Sequence, residues 1–147
     1  MVCGLSKTAF HGAQGGLKTM AQIKIYGLQS ALQNRQREIS DAIHAAVVES
    51  LALPQDKRFH RFFALDRDDF FFPADRSDNY LILEISMFEG RSVETKKQLI
   101  RALSDHLNEI GIAPQDVEIT LFETPRAHWG IRGQCGDELG LGYKVEV

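Results

Sequence analysis

Arg91 follows Gly90 and precedes Ser92, at the point where apolar residues begin to recur at helical spacing. An arginine there meets the exposed N–H groups of a helix start, and its planar fork can hold a carboxylate through two parallel hydrogen bonds. A surface pairing with Glu94 or another acid is the alternative. A second group lies in the glycine-rich stretch Thr124 to Gly136, which holds the only tryptophan. Trp129 and Arg132 could grip a small flat anion; Trp129 could equally anchor the tail in an apolar pocket. His128 is a candidate acid or base and Cys135 a candidate nucleophile with arginine nearby in sequence, but neither has a partner at a defined spacing. His44 and His106 show no metal spacing either, so no metal site and no cofactor is expected.

These residues need elements to position them. Tyr80 to Ile85 reads as a buried strand, Ser92 as an N-cap with Glu94 in the first turn, and Val93 to Ile110 as an amphipathic helix. Gly111 to Pro114 stops that helix, and Val117 to Leu121 alternates as a strand. This is one β-α-β unit with parallel strands and a right-handed crossover. Ligands favour the carboxyl ends of strands in such sheets, which is where Arg91 falls.

An earlier unit repeats the pattern. Gln22 to Tyr26 alternates as a strand, Gly27 to Ser30 turns the chain, and Arg35 to Leu51 is helical with Ile39, Ile43, Val47 and Leu51 spaced by four. Arg58 to Leu65 reads as a strand with Phe59, Arg61, Phe63 and Leu65 on one face. Pro54-Gln55-Asp56 recurs as Pro114-Gln115-Asp116, 60 positions later. The same offset sets Ile39 on Leu99, Ile43 on Leu103, Val47 on Leu107 and Phe59 on Ile119. We read an internal duplication and an α/β (α+β) fold: two tandem β-α-β units forming a four-stranded sheet with both helices on one face.

Such a sheet leaves its other face uncovered. Ile23, Ile25, Ile82 and Leu121 are candidates for either face, so the open face is expected to pack against other subunits. Asp66 to Asn79 connects the units, with five aspartates, Arg67, Arg76 and Phe70-Phe71-Phe72-Pro73. It lacks the acid spacing and central glycine of a calcium loop and reads as a solvated connection whose aromatics tuck under the core. Tyr143 to Val147 looks like a short last strand, and the tail as a whole could pair with a neighbouring subunit's sheet.

With 147 residues, 44% hydrophobic and 25% charged, the chain fits one globular domain. A net charge of -3 supplies no basic field for nucleic acid. No apolar run is long enough to span a bilayer, and two unpatterned cysteines suit a reducing, cytoplasmic setting. Residues 1–20 have no carboxylate and no apolar periodicity. They are expected to be a mis-assigned start, with translation beginning at Met20, or a disordered extension; a weak organellar presequence is a further reading. Residues 21–147 are the expected domain.

Two tandem β-α-β units of this size, with Gly90-Arg91-Ser92 leading into Lys96-Lys97 and Trp129-Gly130 in a glycine-rich tail, resemble the tautomerase superfamily. The resemblance runs from Ala21 to Val147 and points to the branch of malonate semialdehyde decarboxylase and uncharacterised bacterial tautomerase-like proteins, which Phe72-Pro73-Ala74-Asp75-Arg76-Ser77-Asp78 and Trp129-Gly130-Ile131-Arg132-Gly133 resemble in particular. It implies a homotrimer with sites near subunit boundaries. It also implies an amino-terminal proline as general base or acid, and arginines that bind a substrate carboxylate and polarise its carbonyl.

Arg91 matches the family arginine before the second helix and Trp129 its tail aromatic. The chain departs from the pattern where Ala21 follows Met20 in place of proline. It departs again where Glu89 stands near the first of the decarboxylase branch's two arginines, where Ile131 replaces a phenylalanine, and where Lys57 stands near an expected aspartate. The resemblance therefore favours an isomerase of a small keto or enol carboxylic acid over a decarboxylase. A free Ala21 amine would serve as the base and Arg91 as the anion binder, with Trp129, Arg132 and Arg76 on the substrate. The alternative is a non-catalytic trimer that binds a small anionic metabolite or serves assembly.

Overall fold

The structure, a computed structural model, describes residues 21–139. The extension 1–20 and the strand expected at Tyr143 to Val147 lie outside the described residues.

Strand β1 (Ala21–Leu28) buries Ala21, Ile23 and Ile25 and turns the intervening residues outward. It runs through Gly27, where a turn was expected, because Gly27 pairs on both sides, with Leu81 and with Ala64. One helical turn, α1 (Gln29–Leu32), follows, and then α2 (Gln36–Leu51). Strand β2 (His60–Leu65) is shorter than the expected Arg58 to Leu65. The second unit is β3 (Leu81–Phe88), α3 (Val93–Glu109) and β4 (Val117–Thr124). Ser92 caps α3 as expected, its Oγ accepting from the Thr95 N–H at 3.1 Å. A hairpin, β5 (Gly130–Ile131) and β6 (Gln134–Cys135), closes the described tail.

The strand order is β2-β1-β3-β4. β1 and β3 are antiparallel at the centre, and each has its own unit's second strand parallel on its outer side. Both helices cover one face. Ile39, Ile43, Val47, Leu99, Leu103 and Leu107 are all buried there against Ile23, Ile25, Leu83 and Ile85. Truncating any of these leucines to alanine removes about 2–5 kcal/mol. Among the described residues no helix is long and apolar enough to cross a membrane.

The repeat is real but not gapless. Ile23 pairs with His60 and Ile25 with Phe62, whereas Leu83 pairs with Ile119 and Ile85 with Leu121. His60, and not Phe59, is therefore the counterpart of Ile119. One extra residue sits between Asp56 and β2, and it leaves Phe59 before the strand and 42% exposed. It also sets a histidine where the second unit has an isoleucine.

The outer sheet face differs from the expected apolar surface. Ile23, Ile25 and Leu121 belong to the helix side. Ile82 is on the outer side, packed with Leu28, Leu65, Phe70, Phe72 and Tyr80. The connection's aromatics thus fold over one end of the outer face, Phe70 and Phe72 each against the Tyr80 ring. The rest of that face is mixed. Tyr26 stacks on Phe63 at 4.8 Å and donates its hydroxyl to Glu84 at 3.0 Å.

Candidate active site

Three strand ends define one edge of the sheet. Ala21 opens β1 and lies opposite Met87, one residue short of the end of β3. Phe88, the last residue of β3, pairs with Thr124, the last of β4. Gly90 then takes φ 113°, a conformation that favours glycine, and delivers Arg91 to the start of α3. Ala21, Arg91 and the tail that leaves β4 therefore meet at the same edge. It is the carboxyl end of β3 and β4, as the spacing predicts.

Arg91 is half-buried. Burial lowers its guanidinium pKa from the ordinary value, and the charge of Glu123 acts in the opposite direction. A guanidinium still ionises fully under such a shift, and partial loss of water strengthens its grip on an anion. Lys96, one turn into α3, is held by Glu123 at 2.8 Å. Glu94 faces Arg101 at 3.5 Å. The spacing of Lys96 and Glu123 in sequence gave no hint of their contact, which comes from the parallel alignment of β3 and β4.

Trp129 does anchor the tail. Its indole N–H donates to Thr124 Oγ1 at 2.6 Å, and its ring meets Phe88 edge-on with centroids 5.1 Å apart. The Gly136 N–H donates to the Trp129 carbonyl at 2.7 Å. A Cβ at Gly136 would collide with the Arg126 carbonyl oxygen, so only glycine lets the hairpin close on this turn. Its partners Thr124 and Phe88 are the last residues of β4 and β3.

Arg132 is exposed at the hairpin tip, where it and Gly133 take φ 51° and 80°. These are the values of a tight two-residue turn. Nothing in its contacts ties it to Arg91. Arg76 is at the other end of the sheet. It pairs with Asp75 at 2.6 Å and with Glu118, next to the start of β4, at 3.2 Å, and its guanidinium lies over the Tyr80 ring. From Leu81 to Met87 is about 20 Å at the usual strand rise, so one chain does not bring Arg76 to Ala21. Cys135 is exposed, and carboxylate oxygens of Asp137 and Glu138 lie within 4.8 Å of its sulfur. His128 is exposed in the turn after β4.

A polar cluster beside β1 escaped the sequence reading. Ser40 Oγ lies 2.7 Å from His60 Nδ1 and accepts from Arg58, which also pairs with Asp41 at 2.6 Å. The Ser40 hydroxyl and His60 Nδ1 share one hydrogen bond, whose direction is set by the ring tautomer. Burial first, then Arg58 and His44, push His60 down to about 4. The repeat conceals this cluster, since the second unit is apolar at Ile119.

The tautomerase enzyme family model matches residues 57–132. The probable tautomerase YusQ of Bacillus subtilis is 24% identical over 99 residues, covering 63% of this chain and 78% of YusQ. A 2-hydroxymuconate tautomerase of Comamonas testosteroni is 38% identical over 58 residues, 39% of this chain and 92% of that shorter protein. That is about the length of one β-α-β unit. Among solved structures, FG41 malonate semialdehyde decarboxylase inhibited by 3-bromopropiolate is 33% identical with a TM-score of 0.67, over 74% of this chain and 86% of the other. The duplicated unit, the strand order and these matches agree, and the chain belongs to the tautomerase superfamily.

Proposed function

We propose that this protein is an isomerase that interconverts the keto and enol forms of a small carboxylic acid. The carrying observation is the register of β1 on β3, which brings Ala21 to the edge that holds Arg91. In this reading the working domain begins at Ala21, after loss of Met20. An alanine is small enough for the preceding methionine to be removed, and the product is a free α-amine with a reference pKa of about 7.7–8.0. A neighbouring guanidinium favours its neutral form at physiological pH.

The neutral amine takes the proton from the carbon next to the substrate carbonyl. The electron pair of that C–H bond moves toward the carbonyl oxygen, which becomes an enolate held by Arg91. The ammonium then returns its proton to the oxygen, giving the enol; the reverse order restores the keto acid. Trp129 walls the site. Self-association as a trimer is part of the proposal, supported by the fold shared with a fused 4-OT that forms a symmetric trimer, at 20% identity and a TM-score of 0.70.

Two measurements test it. The intact mass of the untagged protein from its native cell reads the start residue, and loss of phenylpyruvate enol in the ultraviolet reads turnover. A chain starting at Ala21 with turnover above buffer supports the mechanism. A chain that keeps residues before Ala21 turns its nitrogen into a peptide amide and ends it.

The second reading is a non-catalytic, anion-binding member of the fold. Ala21 favours it, being 3% exposed and part of the core, with alanine in place of the family's proline. Thermal stabilisation by small carboxylates without turnover would identify that case. A ligand at a hundred times its Kd stabilises by about 2.7 kcal/mol.

A further inference from the structure

The sheet is unfinished at β4. This strand ends the order β2-β1-β3-β4, so its outer row of backbone N–H and C=O groups has no strand partner among the described residues. Val117, Ile119 and Leu121, on its helix side, are only partly buried, whereas Ile23, Ile25, Leu83 and Ile85 on the inner strands are 1% exposed or less. A bare edge of this kind is a template for another strand, and folded proteins cover or blunt it.

Helix α3 carries an apolar flank over the same edge. Val93 and Ile100 are 64% and 39% exposed. They stand about two helical turns apart and so share one side of α3. Gln98, Ala102 and Asp105 line a groove with Glu49 and Ser50 of α2, which marks the opposite side. α2 is toward β2, where Ser40 meets His60, and Lys96 of α3 meets Glu123 of β4. The side of α3 that carries Val93 and Ile100 therefore overhangs the outer edge of β4.

The tail is delivered to one end of that edge. Trp129 donates to Thr124, the last residue of β4, and the Gly136 N–H returns to the Trp129 carbonyl. An antiparallel partner of β4 has to start at this end. After the link Gly140-Leu141-Gly142 come Tyr143, Val145 and Val147, alternating with Lys144 and Glu146, the pattern of a strand with one apolar face. A strand from Tyr143 to Val147 extends about 17 Å, enough to run from Glu123 back to Ile119. So short a link gives the segment an effective concentration on the order of millimolar beside the edge, ahead of any second copy.

We propose that Tyr143 to Val147 add to the free edge of β4 in the same chain as an antiparallel fifth strand, with Tyr143, Val145 and Val147 turned toward Val93 and Ile100 of α3. Lys144 and Glu146 then face the outer side, which Glu118 and Thr120 share. The strand completes the burial of Ile119 and Leu121 and removes the open edge. The assignment does not depend on the isomerase reading.

Two measurements on the full chain test it. In a Cys3→Ser, Cys135→Ser background, Ile100→Cys is combined in turn with a cysteine at each position from Tyr143 to Val147, and a short bismaleimide is added. Cross-links within one chain are expected at Tyr143, Val145 and Val147, forming about 10-fold or more faster than at Lys144 and Glu146, because alternate residues of a strand face opposite sides. In Val145→Asp, amide exchange of the 117–124 peptide is expected to quicken about 10-fold or more, while peptides from β1 and β3 keep the wild-type rate.

Equal cross-linking at all five positions overturns the proposal, since a tail without a fixed face gives that result. Cross-links that join two chains overturn it in favour of a second copy's tail on this edge. Unchanged exchange of the 117–124 peptide in Val145→Asp also overturns it. Should Val145→Asp lose protection throughout the protein, the cross-linking scan alone decides.

Discussion

Lys24 and Glu84 are paired across the middle of the β1–β3 ladder and are also related by the 60-residue repeat. The pseudo-twofold axis of the duplication therefore passes between them, and it makes the two ends of the sheet structural counterparts. Ala21 corresponds to Leu81 and Arg91 to Ala31. Only one end has an arginine after its central strand. At the other end Tyr80 runs directly into β3, and the connection's aromatics cover the surface.

That asymmetry predicts opposite outcomes for two arginines. Arg91→Ala is expected to lower kcat/KM for phenylpyruvate by about 100-fold or more, the scale of losing one donor to a developing oxyanion. Arg76→Ala is expected to change it less than about 3-fold while lowering thermal stability, because Arg76 ties Asp75 to Glu118 over Tyr80. Steady-state kinetics of both variants, with their melting curves, decide the matter. Equal kinetic losses would mean that Arg76 reaches a site in a neighbouring chain.

Much of this fold was legible because the sequence states it twice. Ile39 with Leu99 and Ile43 with Leu103 are buried pairs at a fixed offset, and apolar periodicity needs no knowledge of the partner it packs against. The position of Arg91 was legible for the same reason: Gly90 and Ser92 are local signals for a turn and a cap. The seat of Trp129 was not, because it depends on Phe88, which is distant in sequence and is brought near by the parallel pairing of β3 and β4. The one-residue slip at His60 was hidden because Phe59 and Ile119 match equally well in hydrophobicity. Arg76 was grouped with the site from a motif, and a motif fixes neighbours in sequence rather than the end of the sheet on which they sit.

The repeated tripeptide predicts unequal effects from equal substitutions. Asp116 is 5% exposed and accepts from both the backbone N–H and the hydroxyl of Ser77, fastening the connection to the start of β4. Asp116→Ala leaves the Ser77 N–H without that acceptor and is expected to cost about 2–3 kcal/mol. Asp56 is exposed, and Asp56→Ala is expected to stay within about 0.5 kcal/mol of wild type. Urea unfolding of the two variants measures this. Similar midpoints would show that the Ser77 contact contributes nothing net.

Gly136→Ala tests the tail. The added Cβ collides with the Arg126 carbonyl, so the turn must open and Trp129 must lose its seat between Thr124 and Phe88. Trp129 is the only tryptophan, which makes its emission a direct reporter. The expected result is a red-shifted spectrum with faster quenching by iodide, while far-ultraviolet dichroism stays that of the wild type because the sheet and both helices lie outside the hairpin. An unshifted spectrum would mean that the tail tolerates the side chain and that Trp129 is held by Phe88 alone.

His60 predicts how the fold responds to acid. Its pKa falls from 6.5 to about 4 through burial, with Arg58 and His44 adding like charge. The unfolded chain thus binds a proton near pH 6.5 that the folded chain refuses until about pH 4. Stability from this group is complete above pH 6.5 and declines as pH falls through that window. The full shift corresponds to about 3 kcal/mol, and solvent reaching the half-buried ring reduces this to roughly 1–2 kcal/mol. Arg58 and Asp41 flank the ring as an ion pair, and once the ring is protonated Nδ1 donates and the Ser40 hydroxyl accepts. His60→Gln removes the titration, so its stability is expected to vary less between pH 6.5 and 4 than that of the wild type. Urea midpoints at pH 7, 6, 5 and 4 for both proteins give the comparison. Parallel curves would assign the acid sensitivity to other groups and leave His60 neutral for reasons of packing alone.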